Sequence, residues 1–317
     1  MTNRQMTIHD AAERVTANVE QVIIGKRQVI ELALVAVLCE GHILIEDVPG
    51  TGKTTLAKAL ARSLGCSFQR IQFTPDLLPS DVIGVYFFNQ KAQEFEFRPG
   101  PIMAQVVLAD EINRATPRTQ AALLEAMQER QVSVDLDTKP LPRPFLVLAT
   151  QNPIELEGTF PLPEAQVDRF LMKIRLGYPD EDDENGILLR YEREDPLGVL
   201  QPVLDPATLL ELQYSVRSVQ VEESVRQYVV RVTRATREHP AVELGVSPRG
   251  TLALYRTSQA LAALRGREYV IPDDIKYLSP SVLTHRIIIQ PQTRLRGRTA
   301  EQVIAEIVDA VPVPVEK

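Results

Sequence analysis

Gly41-His-Ile-Leu-Ile-Glu-Asp-Val-Pro-Gly-Thr-Gly-Lys-Thr-Thr55 decides how the rest of the chain is read. Ile43, Leu44 and Ile45 form a short apolar run of strand type. Lys53-Thr-Thr-Leu-Ala-Lys-Ala-Leu60 is a good helix former. Between them lies a turn punctuated by Gly50 and Gly52. Strand, glycine loop, lysine, hydroxyl and helix is the order that holds a nucleoside triphosphate. Backbone N–H groups of the loop point at the phosphates, and the helix N-terminus adds its positive end. On this reading Val48, Pro49, Gly50, Thr51, Gly52, Lys53, Thr54 and Thr55 contact ATP. Lys53 reaches the β- and γ-phosphates and the Thr54 hydroxyl binds Mg²⁺. The full pattern G-x-x-x-x-G-K-[ST] asks for glycine at position 47, where this chain has Asp47. Aspartate tolerates an unusual φ better than most residues. Its carboxylate must point away from the phosphates, or it would repel them.

Working outward, Val106-Val-Leu-Ala-Asp-Glu111 is an apolar strand ending in two carboxylates. A phosphate-bound metal needs a carboxylate at the end of a strand next to the loop strand, and Asp110 suits that place, acting through water on Mg²⁺. Glu111, one residue on, suits the general base that orients and deprotonates the attacking water. Thr150-Gln-Asn-Pro153 closes another buried strand, Phe145 to Thr150. It offers the Asn152 amide to a water beside the γ-phosphate. Upstream, the apolar segment Gln21-Val-Ile-Ile-Gly-Lys26 suits two readings equally: backbone approach to the flat base of the nucleotide at Ile24 and Gly25, or a plain helix-entry turn.

The totals suit a soluble globular protein of two domains: 317 residues, 44% hydrophobic and 24% charged. A net charge of -7 disfavours a dedicated nucleic-acid binder, because a phosphate backbone rewards a basic surface. Cys39 and Cys66 are the only cysteines and read as buried thiols of a reducing compartment, so a cytoplasmic location is expected. The longest uncharged apolar run, Leu32 to Cys39, is too short to span a bilayer. The four histidines show no metal-binding spacing.

Helices are expected near 7–20 and 27–40, and a strand from Ser67 to Phe73. Residues 74–103 are rich in proline, glycine and aromatics. They carry two short strands, Gly84-Val-Tyr-Phe-Phe88 and Glu94-Phe-Glu-Phe-Arg98. Thr116-Pro117 starts a helix with Thr116 as its cap. Gln131 to Asp137 and the proline-rich Lys139 to Pro144 suggest a β-hairpin, and Leu171 to Leu176 a further strand. The acidic run Asp180-Glu-Asp-Asp-Glu184 marks a change of composition and a domain boundary. Beyond it the chain is mostly helical, with Ile287-Ile288-Ile289 the one run of strand type. Pro206, Pro248 and Pro272 open helices, and Gly266 ends the one that begins at 248.

The three nucleotide motifs resemble the AAA+ ring ATPases, with Asp110-Glu111 similar to Walker B and Asn152 to sensor 1. Further strings narrow the resemblance to the MoxR family: Phe73-Thr-Pro-Asp-Leu-Leu-Pro-Ser-Asp81, Phe95-Glu-Phe-Arg-Pro-Gly-Pro101, Ala109-Asp-Glu-Ile-Asn-Arg-Ala115, Gln120-Ala-Ala-Leu-Leu-Glu-Ala-Met127, Leu162-Pro-Glu-Ala-Gln-Val-Asp-Arg-Phe170 and Ser247-Pro-Arg249. The match runs from about residue 20 to 310, and Glu46-Asp47-Val48-Pro49 looks normal within it. The departure is an insertion hairpin, Tyr86-Phe-Phe88 with Lys91-Ala-Gln93, that lacks the usual turn glycine.

The resemblance implies an α/β fold: a P-loop αβα core with a parallel sheet over 1–179, then a helical lid over 180–317. It implies a helix-2 insertion near 74–103 and a pre-sensor-1 hairpin near 131–144. It implies a homo-oligomeric ring, commonly a hexamer, that hydrolyses ATP with Mg²⁺ to remodel or activate partner proteins, often ones carrying a von Willebrand factor A domain. Arg169 matches the arginine finger and Arg249 matches sensor 2; the planar guanidinium fork pairs with phosphate oxygens. By residue chemistry alone, Arg169 beside Asp168 would equally suit a surface ion pair, and Arg249 a solvent-facing first turn. A metal-chelatase subunit shares most of these motifs. A nucleic-acid motor is disfavoured, because the hairpin at 131–139 sets Asp135 and Asp137 against Lys139 alone, where a DNA-tracking tip would carry basic or aromatic residues.

Overall fold

A computed structural model describes residues 6–135, 137–152, 158–192 and 194–314. Its strands are β1 (Ile43–Glu46), β2 (Phe68–Gln72), β3 (Gly84–Asn89), β4 (Glu94–Pro99), β5 (Val106–Asp110), β6 (Gln131–Val134), β7 (Asp137–Pro140), β8 (Leu146–Gln151), β9 (Met172–Ile174), β10 (Val242–Leu244) and β11 (Ile288–Ile289). Five of them form one parallel sheet in the order β2-β5-β8-β1-β9. The inner strands β5 and β8 are buried along almost their whole length, which is why they read as unbroken apolar runs. Because all five strands run the same way, their C-terminal ends share one edge. The loop after β1, Asp110-Glu111 and Asn152 therefore meet there. One expectation needs correction. The strand carrying Asp110 is not next to the loop strand, since β8 lies between β5 and β1.

Helices cover both faces of the sheet. One face carries the helices Ile8–Val19, Arg27–Leu38 and Lys53–Ser63, and the other carries Pro117–Glu129 and the 74–103 insertion. The first core continues without a break into the helical lid. The lid helix Pro248–Leu264 packs on both Arg27–Leu38 and Ile8–Val19. His42 ties three elements together at the start of the sheet. Its Nδ1 accepts from Val147 N at 3.0 Å, so Nε2 carries the proton and donates to Met127 O at 3.0 Å.

The lid helices begin at Pro206, Pro248 and Pro272, each preceded by an extended residue. The Asp205 and Ser247 side chains cap two of them, accepting from Ala207, Thr208 and Gly250 backbone N–H groups. Thr116 does not cap its helix; its hydroxyl lies 3.3 Å from that of Thr119 instead. The lid is not purely helical, because β10 and β11 pair as a two-stranded antiparallel ribbon. The sequence signals only the β11 side, as three residues are too few to show alternation.

Both hairpins form: β3 pairs with β4, and β6 with β7, each antiparallel. The missing turn glycine in the first is replaced in two ways. Asn89 Oδ1 accepts from Lys91 N and Ala92 N, and Gln93 takes the left-handed backbone itself at φ 58°. No helix of the described residues is long and apolar enough to cross a membrane. Cys39 and Cys66 are half-buried free thiols; burial pushes Cys39 up to about 12 and Cys66 up to about 11.

Candidate active site

The phosphate loop leaves β1 and turns into the helix Lys53–Ser63. Gly50 and Gly52 make that turn at φ 86° and 89°, where a side chain would be strained. The atoms of a Cβ at either position would meet nothing within 4 Å, so the loop backbone lies open to a ligand. Lys53 Nζ rests on the loop's own carbonyls, 2.5 Å from Val48 O and 3.3 Å from Asp47 O. Asp47 turns inward, away from the loop's open side. Its Oδ1 accepts from Val48 N at 2.8 Å, and Oδ2 accepts from Leu176 N and Gly177 N at 2.9 and 2.7 Å. It is absent from the left-handed residues, so its role is to tie the loop to the segment after β9 and not to supply an unusual φ.

Asp47, Pro49, Gly50, Gly52, Lys53, Thr54 and Thr55 line a cavity of about 400 Å³. Its far wall is Arg70, Asp110, Glu111, Thr150, Gln151 and Asn152. The motifs read from the sequence thus meet in one cleft. Val48 and Thr51 belong to the loop but not to this lining.

The far wall holds a network that the sequence reading missed. Thr150 Oγ1 donates to Asp110 Oδ1 at 2.6 Å and accepts from Glu111 N at 2.8 Å. Arg70 on β2 donates to Asp110 Oδ2 through Nε at 3.0 Å and Nη2 at 2.5 Å. Gln72, two residues on and so on the same face of β2, donates to Glu111 Oε2 at 2.8 Å, and Arg114 Nη1 lies 3.1 Å from the same oxygen. Glu111 itself holds φ 56° and ψ 49°. The signal in the sequence is the pair Arg70 and Gln72 at period two, around the buried Ile71. Which strand that polar face meets is set by sheet order, which local pattern does not encode.

Thr54 and Asp110 are hard oxygen donors facing one cleft, which fits Mg²⁺. Both carboxylate oxygens of Asp110 already accept hydrogen bonds, so a contact through metal-bound water fits better than direct ligation.

Four other residues stand elsewhere. Ile24 and Gly25 pack against the helix Glu181–Tyr191. A Cβ on Gly25 would fall 1.7 Å from Asp183 Oδ2, and one on Gly186 would fall 3.4 Å from Ile24 Cδ1. The space expected to admit a base is filled here by the Asp183 carboxylate. Arg169 and Arg249 lie together in a second cavity of about 500 Å³ with Gly41, His42, Arg130, Leu252, Arg256 and Arg286. Gly41 and His42 precede β1 and the phosphate loop follows it, so the two cavities open at opposite ends of that strand.

Asp168 does not pair with Arg169. It accepts from buried Arg286 Nε at 2.8 Å and Ser247 Oγ at 3.1 Å, which pins the lid to the segment before β9. Burial pulls Arg286 down to about 10 against the opposing pull of Asp168, and pulls neighbouring His285 well below its ordinary value. Arg169 and Arg249 have no ion-pair partner among the described residues. Pro153 lies outside the described residues.

Two family models match the chain. Residues 42–172 match the ATPase family associated with various cellular activities, and 234–307 match the AAA lid domain. The chain is 51% identical over 313 residues to YeaC of Bacillus subtilis, covering 99% of this chain and 98% of that protein. It is 44% identical over 315 residues to Chaperone MoxR1 of Mycobacterium tuberculosis, covering 95% and 82%. A crystal structure from Cytophaga hutchinsonii superposes with a TM-score of 0.91 at 39% identity, covering 97% of this chain and 96% of that one. With its parallel-sheet core, helical lid and convergent nucleotide motifs, the chain is a MoxR-family AAA+ ATPase.

Proposed function

We propose that the chain works as a ring, hexameric as is common in the family, that hydrolyses Mg²⁺-ATP between neighbouring subunits. The observation that carries this reading is the position of Arg169 and Arg249. They sit past the start of β1 while the phosphate loop sits past its end, and four residues of strand span roughly 13 Å. An arginine there faces away from its own nucleotide and suits the next subunit's. On the same reading Arg249, which shares the cavity of Arg169, acts in trans with it.

Within one site, each residue has a role its geometry supports. The loop N–H groups of residues 50–55 hold the triphosphate, and Lys53 leaves its two carbonyls for the β- and γ-phosphates. Thr54 and Asp110 hold Mg²⁺, which neutralises charge on the phosphates when bound. Glu111 takes a proton from water that the Asn152 amide orients. Ile24 and Gly25 flank the base once Asp183 swings aside. Residues 1–179 form the nucleotide unit and 180–317 the lid; Asp168, joined to both Ser247 and Arg286, is their mechanical link. The output is chaperone-like remodelling of a partner protein, of the von Willebrand factor A type, in the cytoplasm, where the two free thiols stay reduced.

Specific ATPase activity should rise with protein concentration as rings assemble and vanish when Mg²⁺ is chelated. Activity per subunit that is flat over a hundredfold dilution, or that survives chelation, would contradict the reading.

A further inference from the structure

We infer that the helix Glu181–Tyr191 is the seat on which a second copy of this chain docks, through the stripe Arg249, Leu252 and Arg256 on its lid helix. The inference rests on the trans reading above and names the surfaces that bring it about.

The helix Glu181–Tyr191 buries none of its residues. Its inner face, Asp183, Gly186 and Arg190, lies along the segment 20–25, where Arg190 Nη1 donates to Glu20 O. The outer face repeats at i, i+3, i+7 and i+10 as Glu181, Glu184, Leu188 and Tyr191, two acids followed by two large apolar groups. Leu188 is 72% exposed, Leu189 63%, and Tyr178, just before the helix, 70%. So much apolar surface within fourteen residues, beside an acidic turn, marks an interaction site.

The complementary surface is on the same molecule. Arg249, Leu252 and Arg256 fall at i, i+3 and i+7 on the helix Pro248–Leu264, all exposed, with Leu252 at 56%. Their cavity holds two carboxylates, and both are already paired: Glu40 with Arg130 and Arg143, and Asp168 with Arg286. It therefore presents uncompensated positive charge around an apolar centre, and the helix Glu181–Tyr191 presents negative charge beside an apolar centre. The two surfaces are different patches of one chain, so their contact is head-to-tail, the kind that builds a ring when the rotation between subunits closes. Because Ile24, Gly25 and the phosphate loop's anchor at Leu176-Gly177 border that helix, the contact delivers Arg169 and Arg249 to the neighbour's nucleotide. Leu252 meets Leu188, and Arg256 meets the Glu181 and Glu184 carboxylates.

The test is a charge swap read by mass, with no dependence on turnover. Sedimentation velocity or mass photometry, with ATP present, gives the concentration at which half the chain is assembled. Arg256→Glu alone and Glu184→Arg alone should each raise that concentration about tenfold or more, since like charges then face each other. The double variant should return it to within about threefold of wild type. Circular dichroism melts of all three should match wild type, because these side chains are exposed. Wild-type assembly by either single variant, or no recovery in the double, would overturn the pairing. Restored assembly without catalytic rescue between loop and finger variants would leave this surface standing and sink the trans-arginine reading.

Discussion

Glu111 holds a left-handed backbone that costs a non-glycine residue on the order of 1–3 kcal/mol. The surroundings enforce it: Thr150 Oγ1 fixes its N–H, while Gln72 and Arg114 fix its carboxylate. Strain kept in place by three neighbours is what a preorganised base requires. Glu111→Gln should keep ATP binding while turnover falls about 10²-fold or more, the usual scale for losing a general base. Turnover within twofold of wild type would place the base elsewhere. Lys53 is the one cation of the loop, and on the proposed reading it gives up its 2.5 Å bond to Val48 O for phosphate. Lys53→Ala should abolish binding of a fluorescent ATP analogue; retained affinity would remove Lys53 from the binding set. At this scale the sequence showed the phosphate loop and both strand-end motifs, because their chemistry lies in contiguous residues. Arg70 escaped, since its meaning depends on a partner forty positions away.

At the scale of elements, β5 and β8 were readable because a strand buried on both faces has no polar alternation to disguise it. Sheet order was not readable. Nothing within β5 or β1 says that β8 comes between them, so Asp110 was expected one strand too close to the loop. The place where β1, β8 and the helix Pro117–Glu129 meet is set by His42. Burial pulls it down to about 4 from an ordinary value near 6.5. Its Nδ1 is an acceptor for Val147 N, so protonation would break that bond as well as bury a charge. The unfolded chain takes up the proton first as pH falls. Stability is thus fully present above about 6.5 and is lost toward 4, by on the order of 3 kcal/mol. Denaturant unfolding at pH 6.5 and 4.5 should show a steeper loss in wild type than in His42→Gln. Equal losses would mean that His42 does not carry the effect.

For the whole molecule, the decisive relation joins parts that no local pattern connects. Lid and N-terminal helices share one core, and Asp168 clamps the lid through Arg286 and Ser247. The lid therefore holds Arg249 beside Arg169, at the end of β1 opposite the phosphate loop. On the proposed reading such a chain carries half of a catalytic site at each end, and a neighbouring subunit completes it. A trans arginine contributes on the order of 10³-fold or more to phosphoryl transfer. The most direct test mixes two inactive proteins, Arg169→Ala and Lys53→Ala, under conditions where subunits exchange. Mixed rings contain interfaces with an intact loop facing an intact Arg169, so ATPase activity should reappear and peak near equal proportions. If every mixture stays as inactive as its components while exchange is verified by labelled subunits, Arg169 acts within its own chain and the account is wrong.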